Sequence, residues 1–215
     1  MKLPLALIVG LHLFWAASLF ALRYVNPITT GVQAQRRIEA WIAGAPYTKR
    51  SMWVPLERIS AHLQHAVIAA EDGNFNRHSG IDWEQVQLVA QESLEEGEIP
   101  RGASTITQQL VKNLFFTTHR NPIRKLCEYT LAPMATAILG RARILELYLN
   151  VVEWGPGVWG AEAAAGYHYH EHASALDRNQ AARLAACLPS PRRRRPSFMN
   201  SYSAIIETHM AQQGW

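Results

Sequence analysis

The most restrictive feature of this 215-residue sequence is an apolar segment near its start: residues Pro4 to Leu22 are apolar apart from His12 and Ser18. About 20 consecutive apolar residues in a helix span the hydrocarbon core of a bilayer. A cleaved secretory signal usually has a shorter apolar region, of about 7 to 15 residues, so a retained transmembrane helix is favoured over a signal peptide. Basic residues occur on both sides of the segment, and the charge distribution therefore leaves its orientation open.

The remaining sequence has helical rather than strand periodicity. Its 48% hydrophobic content is enough to bury one good core but hardly two. No segment alternates as a half-buried strand does, and there is no internal repeat. We predict a mostly α-helical protein with an N-terminal anchor over residues 1–23, a juxtamembrane segment and linker over 24–52, and one main domain over 53–215. Helices are predicted over residues 33–41, 60–71, 83–93, 104–115, 121–139, 143–150, 161–169 and 177–188.

The charge of the chain is modestly positive, with a formal value of +4 and a pI near 9.3. Such an excess suits an anionic partner, whether phosphate, nucleic acid or a lipid surface, and does not choose among them. Four adjacent arginines, Arg192 to Arg195, cannot all be buried. We predict that they lie on the surface, either near anionic lipid headgroups or simply solvated.

Residues that commonly bind metals are present but poorly spaced for that purpose. Cys127 and Cys187 fall in apolar helical stretches without metal-ligand spacing, which predicts two free thiols rather than a disulfide or a zinc site. Alternating histidines at the end of a helix point in different directions, which predicts surface positions for His168, His170 and His172.

The first candidate site is the stretch from Glu71 to Asp82, which gathers three carboxylates and an imidazole behind the apolar run Ala66–Ala70. We predict that Glu71 lies in the last turn of a helix, with Gly73 as a left-handed stop just beyond it. Helix-end carbonyls and an apolar environment both raise the pKa of a carboxyl group, which favours Glu71 as a general base. The alternative is an ordinary helix-ending turn.

The second candidate site is a polar stripe on the predicted helix that starts with Ser104 as its N-cap. Thr105, Gln109 and Lys112 share one face, which therefore carries a hydroxyl, an amide and a single ammonium group. This combination favours hydrogen bonding to a ligand. A plain amphipathic helix remains the alternative.

The third candidate site is at the start of a helix that begins at Asn121, a good N-cap followed by proline. Arg124, Lys125 and Glu128 occupy its first turns, whereas residues 129–139 are almost without polar side chains. We predict that this second part is buried all round. The three charged residues should then lie at a cleft or in a strongly coupled network.

These clusters carry a resemblance to a known family. The four segments that match are Glu-Asp-x-x-Phe-x-x-His-x-Gly at 71–80, Gly-x-Ser-Thr-Ile-Thr-Gln-Gln-Leu-x-Lys-Asn-Leu-Phe at 102–115, Arg-Lys-x-x-Glu at 124–128 and Ile-Leu-Glu-x-Tyr-Leu-Asn at 144–150. In composition and order they resemble the peptidoglycan glycosyltransferases, glycosyltransferase family 51. The similarity runs from about Trp53 to the C-terminus without a transpeptidase domain, as in the monofunctional biosynthetic transglycosylases.

The resemblance implies a lysozyme-like helical domain, anchored by a single pass in the bacterial inner membrane and facing the periplasm. It further implies that the enzyme polymerises lipid II into glycan strands with inversion and release of undecaprenyl pyrophosphate. The expected partners are lipid II, the growing strand and inner-membrane lipid, with other cell-wall synthesis and division proteins as further candidates and no nucleic acid. No cofactor is obligatory on this reading, and a divalent cation, Mg or Mn, is an optional one.

The resemblance also assigns roles to residues. Glu71 matches the base that deprotonates the acceptor 4-hydroxyl, and Glu128 matches a second essential glutamate that is also the candidate metal ligand. The cations that match the diphosphate site are Lys112, Arg124 and Lys125. The complete set expected to bind or orient substrate is Asp72, Phe75, His78, Ser104, Thr105, Gln108, Gln109, Lys112, Asn113, Arg124 and Lys125.

Four positions depart from the family pattern: Gly73, Thr136, His168 and Glu171. Two other functions remain open at this point. A lysozyme-like hydrolase would also use a glutamate of raised pKa but would need no cation cluster for a diphosphate. A catalytically silent, membrane-anchored partner of the cell-wall machinery would be indistinguishable by sequence.

Overall fold

The computed structural model describes residues 2–96, 102–119 and 121–215 of the chain. The predicted polar break over residues 95–100 lies mostly outside these residues. The helices are α1 Lys2–Leu22, α2 Gly31–Ile42, α3 Ala61–Glu71, α4 Trp83–Glu96, α5 Ile106–Phe115, α6 Pro122–Leu139, α7 Arg141–Val151, α8 Ala161–Tyr169, α9 Arg178–Ala185 and α10 Asn200–Gln212. The prediction of a mostly helical protein is confirmed, although α10 was not anticipated.

Helix starts follow the capping residues of the sequence. The side chains of Ser60, Asn121 and Asp177 accept backbone N–H bonds at the starts of α3, α6 and α9, as predicted. The prediction of Ser104 as the cap of α5 is wrong by one residue. Thr105 is the N-cap, because its hydroxyl and the side chain of Gln108 satisfy each other's backbone N–H groups in a capping box.

The end of α3 also differs from the prediction. Glu71 is its last residue, as expected, but the chain leaves the helix through an extended Asp72 with φ −164°. Gly73 is not among the residues with positive φ, so it is not a left-handed stop. The end of α3 is instead fixed by hydrogen bonds of the Asp72 side chain, which are described below with the site.

A small sheet is present that the sequence did not predict. It consists of β1 Arg50–Ser51, β2 Glu153–Gly155 and β3 Val158–Trp159, in the order β1-β3-β2. β3 pairs parallel to β1 and antiparallel to β2. Strands of two or three residues are too short to show alternation, so the sequence pattern cannot indicate them.

The core is one cluster of buried side chains to which α3, α5, α6, α7 and α9 all contribute. Helix α5 packs against α2, α6 and α7, whereas α3 packs against α9 and α10. The largest enclosed side chains are Tyr148, Trp154 and Trp159, all with no exposed surface. Cys127 and Cys187 are free thiols, and burial raises the pKa of Cys187 to about 11. This core fixes the end of α3 against the face of α5.

Helix α1 is partly incorporated into this core through Trp15 and Leu19, which are 6% and 0% exposed. It packs on α6, and Trp15 meets Phe116 edge to face at 5.8 Å. Its other side carries large exposed apolar residues, among them Leu7 at 74% and Phe14 at 63% exposure. Within the described ranges no helix reaches the combined length and hydropathy of a membrane span.

The prediction that residues 129–139 of α6 are buried all round is wrong. Leu131, Ala132 and Ala135 are fully buried, but Thr130 and Ala137 are exposed. The helix presents one side to α5 and α7 and part of another to α1. An apolar pattern does not distinguish a helix surrounded by protein from one with a face on the surface, and the sequence therefore overstated the burial.

Candidate active site

The carboxylate of Glu71 lies at the junction of α3 and α5. Its Oε2 accepts a hydrogen bond of 2.6 Å from Nε2 of Gln109. The other oxygen, Oε1, is buried and has no hydrogen-bond partner among the described residues. The hydroxyl of Tyr148 donates to Oε1 of Gln109 at 2.9 Å. Because that bond occupies the amide oxygen, Gln109 must present its NH₂ group to Glu71.

Burial raises the pKa of Glu71 above its ordinary value, and the nearby charge of Asp72 adds to the effect. The Gln109 bond and the positive charges of Lys112 and Arg194 oppose the shift without reversing it. The direction agrees with the sequence prediction, and desolvation is the principal cause. A carboxylate in this state is more basic than a surface glutamate and can accept a proton from a hydroxyl group.

The loop after Glu71 is held by hydrogen bonds to α5. Oδ2 of Asp72 accepts the backbone N–H of Ile106 at 2.9 Å, and its Oδ1 pairs with Nε2 of His78 at 2.8 Å. Nδ1 of His78 accepts the N–H of Gly80, so the ring proton must be on Nε2. The Thr105 hydroxyl donates to the Gly80 carbonyl at 2.7 Å. These bonds fix the start of α5 relative to the end of α3.

Gly80 is required where this loop meets α6. Its φ is +104°, and a Cβ atom there would lie 2.6 Å from the carbonyl oxygen of Ala132. Only glycine combines that conformation with that approach.

The three charged residues at the start of α6 form a cluster beside α5. Nζ of Lys125 donates to the Ser104 hydroxyl at 2.8 Å and to Oε2 of Glu128 at 3.2 Å. Nε of Arg124 lies 3.3 Å from Oε1 of Glu128, and its Nη1 donates to the Thr117 carbonyl at 2.7 Å. Glu128 is only 3% exposed. The cluster therefore holds one enclosed carboxylate between two cations, with net positive charge.

Lys112 adds a further cation on the same side of α5. Burial lowers the pKa of its ammonium group, and the neighbouring Arg124 and Lys125 lower it further, while Glu128 and Glu71 act in the opposite direction. Among residues 2–96, 102–119 and 121–215, none forms a hydrogen bond or an ion pair with Lys112. Its charge is therefore available to a ligand.

Two adjoining cavities place these groups on the surface. The first, of about 400 Å³, is lined by Glu71, Asp72 and Ser104, and by His209 and Gln213 from the end of α10. We call it the base cavity.

The second is about 860 Å³, shares Ser104 with the first, and is lined by residues that include Gln109, Lys112, Asn113, Arg124, Arg192 and Arg193. We call it the cation cavity. Together the base cavity and the cation cavity form one continuous cleft. The carboxylate of Glu71 and the group of cations therefore line the same open space.

The remaining predicted site residues are buried or hydrogen-bonded within the protein. Gln108 is fully buried in the capping box, and Phe75 is 2% exposed. Asn113 lines the cation cavity and donates to the Gln109 carbonyl at 2.8 Å. Substrate contacts for Gln108 and Phe75 stay predictions, since the structure assigns their side chains to the fold.

The arginine run is divided between the surface and the interior. Arg192, Arg193 and Arg195 are exposed as predicted, whereas Arg194 is half-buried, which the sequence did not indicate. Arg194 donates to the Ala186 carbonyl at the end of α9. Carbonyl groups at a helix terminus attract a cation, which explains why one arginine of the four turns inward.

The histidine prediction is also partly wrong. His170 and His172 are exposed, but His168 is half-buried, with Nε2 3.3 Å from the Trp154 carbonyl, and burial lowers its pKa. Glu171 accepts from Nε2 of Gln180 at 2.7 Å. Neither His168 nor Glu171 lines the cleft.

Comparison with known proteins agrees with the geometry. A family model described as Transglycosylase matches residues 37–212. The chain belongs to the transglycosylase family. Three curated relatives share the name biosynthetic peptidoglycan transglycosylase. The one from Nitrosospira multiformis is 42% identical over 186 residues, covering 86% of this chain and 81% of the relative.

The relative from Dechloromonas aromatica is 43% identical over 196 residues, 89% of this chain and 85% of its own. The relative from Pseudomonas putida is 42% identical over 211 residues, with coverages of 94% and 89%.

Two features of this transglycosylase site were missed from the sequence. The orienting contact of Tyr148 lies in a segment that was recognised, residues 144–150, but nothing in that segment indicates a contact with Gln109. The second feature is the position of Arg192 and Arg193 at the cleft. The break at Pro189 and Pro191 places the arginine run after the end of a helix, but nothing in the sequence indicates that this segment lies beside Lys112 and Arg124.

Proposed function

We propose that this protein is a peptidoglycan glycosyltransferase that joins lipid II units into glycan strands for the cell wall and releases undecaprenyl pyrophosphate. Family membership and the names of the relatives support this activity. The observation that carries the mechanism is the enclosed Glu71, held by a neutral amide, at the edge of a cleft rich in cations. A base and a diphosphate site are the two requirements of this reaction.

Glu71 acts as the general base in this proposal. It takes the proton of the acceptor sugar 4-hydroxyl as that oxygen attacks the anomeric carbon of the donor. The C–O bond to the diphosphate breaks, and the electron pair leaves with the diphosphate. The Gln109 amide, fixed by Tyr148, keeps the carboxylate in one orientation, which is the positioning that such a transfer needs.

The cations stabilise the charge that develops on the leaving diphosphate. Lys112 has no protein partner among the described residues and is the best placed to bind it, with Arg124 beside it on the cation cavity. Lys125 does not line that cavity, and its bonds to Ser104 and Glu128 suit a supporting position. Glu128 orders Arg124 and Lys125 in this proposal and does not exchange a proton with substrate.

A divalent cation is at most an addition to this arrangement. Glu128, the candidate ligand, would provide only one carboxylate to a metal ion, and that carboxylate already pairs with the cations Arg124 and Lys125. The one group of three ligating residues found in the described part of the chain is Asp72, His78 and Asp82. In that group, Asp72 and His78 are already hydrogen-bonded to each other. Were Mg or Mn to contribute, Glu128 is the residue that would hold it, and the cation would supply additional positive charge for the leaving diphosphate.

The hydrolase reading is disfavoured by the same cluster. A glycan hydrolase uses its raised-pKa glutamate as an acid and a second carboxylate near the sugar. The second glutamate here, Glu128, is enclosed between Arg124 and Lys125 and is unsuited to act as a nucleophile or to activate water.

We also propose that α1 attaches the protein to the inner membrane, with the catalytic domain in the periplasm. Support comes from the apolar sequence of residues 4–22 and from the exposed apolar side of α1, where Leu7 and Phe14 lie. Because Trp15 and Leu19 pack in the core, we expect deletion of residues 1–23 to destabilise the domain as well. Deletion of residues 1–11 alone should abolish co-flotation with vesicles and keep the fold, whereas unchanged co-flotation, or a native N-terminus processed near Ala21, would contradict the proposal.

The activity is tested by incubating the purified full-length protein with labelled lipid II and separating the products by size. Glycan strands and free undecaprenyl pyrophosphate are expected. Shortening of added glycan strands would support a hydrolase instead. Binding of lipid II without any product would support a catalytically silent partner, and either result would overturn the proposal.

A further inference from the structure

Part of the wall of the base cavity comes from the end of α10, the helix that the sequence did not predict. His209, Gln212 and Gln213 line this cavity together with Glu71 and the loop that follows it. All three α10 residues are exposed, and within residues 2–96, 102–119 and 121–215 their side chains form no hydrogen bond. Helix α10 therefore presents two free amides and an imidazole to the space that Glu71 lines.

The backbone that carries these side chains is held in place by α3 and α9. Met210 has no exposed surface, and α10 packs against both helices. Arg178, the first residue of α9, donates to the Glu207 carbonyl at 3.1 Å and also to the Trp215 carbonyl. The Trp215 ring stacks on His65 of α3, with ring centroids 4.4 Å apart. Free polar side chains on a fixed backbone are the arrangement that a binding site requires.

Gly73, in the loop after Glu71, lies beside the amide of Gln213. A Cβ atom at Gly73 would be 3.4 Å from Nε2 of Gln213, so a longer side chain there would compete with that amide for the same space. The φ of Gly73 is not in the left-handed region, and the backbone conformation therefore does not require glycine. Gly73 is also one of the positions that depart from the family pattern. What glycine provides here is room for the side chain of Gln213.

The polar side chains on the Glu71 side of the base cavity are engaged within the protein. Asp82 accepts from Nδ2 of Asn74 at 2.9 Å and from the backbone N–H of Gln85 at 3.0 Å. Asp72 is bonded to α5 and to the loop, as described above. The Gln213 amide, by contrast, is available to a ligand and lies next to that loop.

We propose that Gln213 is a specificity-determining residue for the acceptor, and that its carboxamide binds the N-acetyl group of the acceptor sugar. The inference rests on the proposed function, in which the acceptor enters the base cavity with its 4-hydroxyl at Glu71. Gly73 follows Glu71 by two residues, which span at most about 7 Å, the scale of one sugar ring. An amide group both donates and accepts, and is therefore complementary to the amide of an N-acetyl group.

The acceptor sugar thus lies between a base at its 4-position and an amide at its 2-position. Gly73 is a positioning residue in this proposal, since it acts by leaving space for Gln213. Two consequences distinguish this arrangement from a merely structural role of α10. Loss of the amide should weaken discrimination between acceptors with and without the N-acetyl group, and a side chain at position 73 should have the same effect.

The test compares three variants of the full-length protein with wild type. Gln213→Met removes the carboxamide and keeps a side chain of similar length, whereas Gly73→Leu places an apolar side chain in the space beside it. The double variant reports whether the two residues act together. Gln87→Met is the matched control, because Gln87 is an exposed glutamine of α4 that lines neither cavity of the cleft. Circular dichroism and melting curves verify that each variant is folded.

Each protein receives a labelled lipid II from which the 4-hydroxyl has been removed, so that this molecule serves only as donor. Two acceptors are compared: lipid II itself, and lipid II with a 2-hydroxyl in place of the N-acetyl group on its terminal sugar. The initial rate of labelled tetrasaccharide formation gives kcat and KM for each acceptor.

Wild type should prefer the natural acceptor in kcat/KM. For Gln213→Met we expect this preference to fall about threefold to tenfold, mainly through KM, as for loss of one hydrogen bond. Gly73→Leu should lose the same preference, and the double variant should lose no more than either single variant. Gln87→Met should match wild type.

An unchanged preference in Gln213→Met, or an equal loss of rate with both acceptors, would overturn the proposal. Additive losses in the double variant would overturn the role given to Gly73. Failure of the wild-type protein to form any tetrasaccharide from lipid II would instead remove the proposed function, and this inference with it.

Discussion

The two enclosed glutamates beside α5 differ in their partners. Glu71 has one close partner, the neutral amide of Gln109, and one oxygen without a hydrogen bond among the described residues. Glu128 is also enclosed, and its Oε1 likewise has no hydrogen bond among the described residues. Its oxygens, however, lie within ion-pair distance of two cations, 3.3 Å from Nε of Arg124 and 3.2 Å from Nζ of Lys125. The same side chain is thus placed once without a cation in direct contact and once between two cations.

This difference gives the two glutamates different roles. An enclosed carboxylate without a cation in direct contact has a raised pKa and gains from taking a proton, which is the property of a base. An enclosed carboxylate between cations holds those cations in position and offers them to an anionic ligand. The contrast implies that equivalent substitutions at Glu71 and Glu128 should have opposite consequences for stability.

The largest effect is expected for Glu71→Gln. An amide cannot take the acceptor proton, so strand elongation should fall about 10²- to 10⁴-fold, the usual contribution of a general base. The fold should be kept or slightly stabilised, because a buried charge is removed. Single-turnover elongation and thermal melting measure the two properties. Near-normal elongation would remove Glu71 as the base.

Glu128→Gln should reduce elongation on the order of 10²-fold, by releasing Arg124 and Lys125 from their positions. Unlike Glu71→Gln it should lower the melting temperature, since two cations lose their enclosed counter-charge. Glu57→Gln is the control, because Glu57 is exposed and lines none of the cavities of the cleft. Equal changes in melting temperature for Glu71→Gln and Glu128→Gln would show that the different partners of the two carboxylates do not affect stability.

A smaller effect is expected for Tyr148→Phe. Loss of its bond to Gln109 allows that amide to rotate and to present its oxygen to Glu71, which should raise the pKa of Glu71 further. We expect about a tenfold loss of elongation near neutral pH and an acid limb of the pH profile displaced to higher pH. A pH profile identical to that of wild type would argue against an orienting role.

The smallest effect is the pH dependence of the wild-type enzyme. The pKa of Glu71 is raised above 4.5, so elongation should be lost as pH falls through that raised value. The pKa of Lys112 is lowered from 10.5, so the diphosphate contact should weaken as pH rises through the lowered value. The profile should be narrower than these ordinary values imply, and Glu71→Gln should lack the acid limb.

The same shift of Glu71 affects stability. A carboxyl group whose pKa is raised in the folded state binds its proton more tightly there than in the unfolded chain. The free energy of unfolding contributed by Glu71 is therefore highest at low pH and decreases as pH rises from the unfolded towards the folded pKa. Melting temperatures of wild type and Glu71→Gln should converge as the pH is lowered.

The sequence predicted the parts of the site that depend on local order. Glu71 in the last turn of α3 and Asn121 at the start of α6 follow from short-range capping and hydrophobic patterns. The contact of Tyr148 with Gln109 joins residues far apart in the chain, and no local pattern encodes it. Arg192 at the cleft depends on the packing of the loop after α9, which composition cannot supply.

The backbone N–H of Ile106 donates to the Asp72 carboxylate, so the hydrogen-exchange rate of this one amide reports on opening of the site. Ile106 has no exposed surface, so this hydrogen can exchange with deuterated water only when the loop after Glu71 releases the start of α5. Its exchange rate measures how often the base and the cations separate. A ligand that spans the cleft should slow that rate even where it touches neither Ile106 nor Asp72.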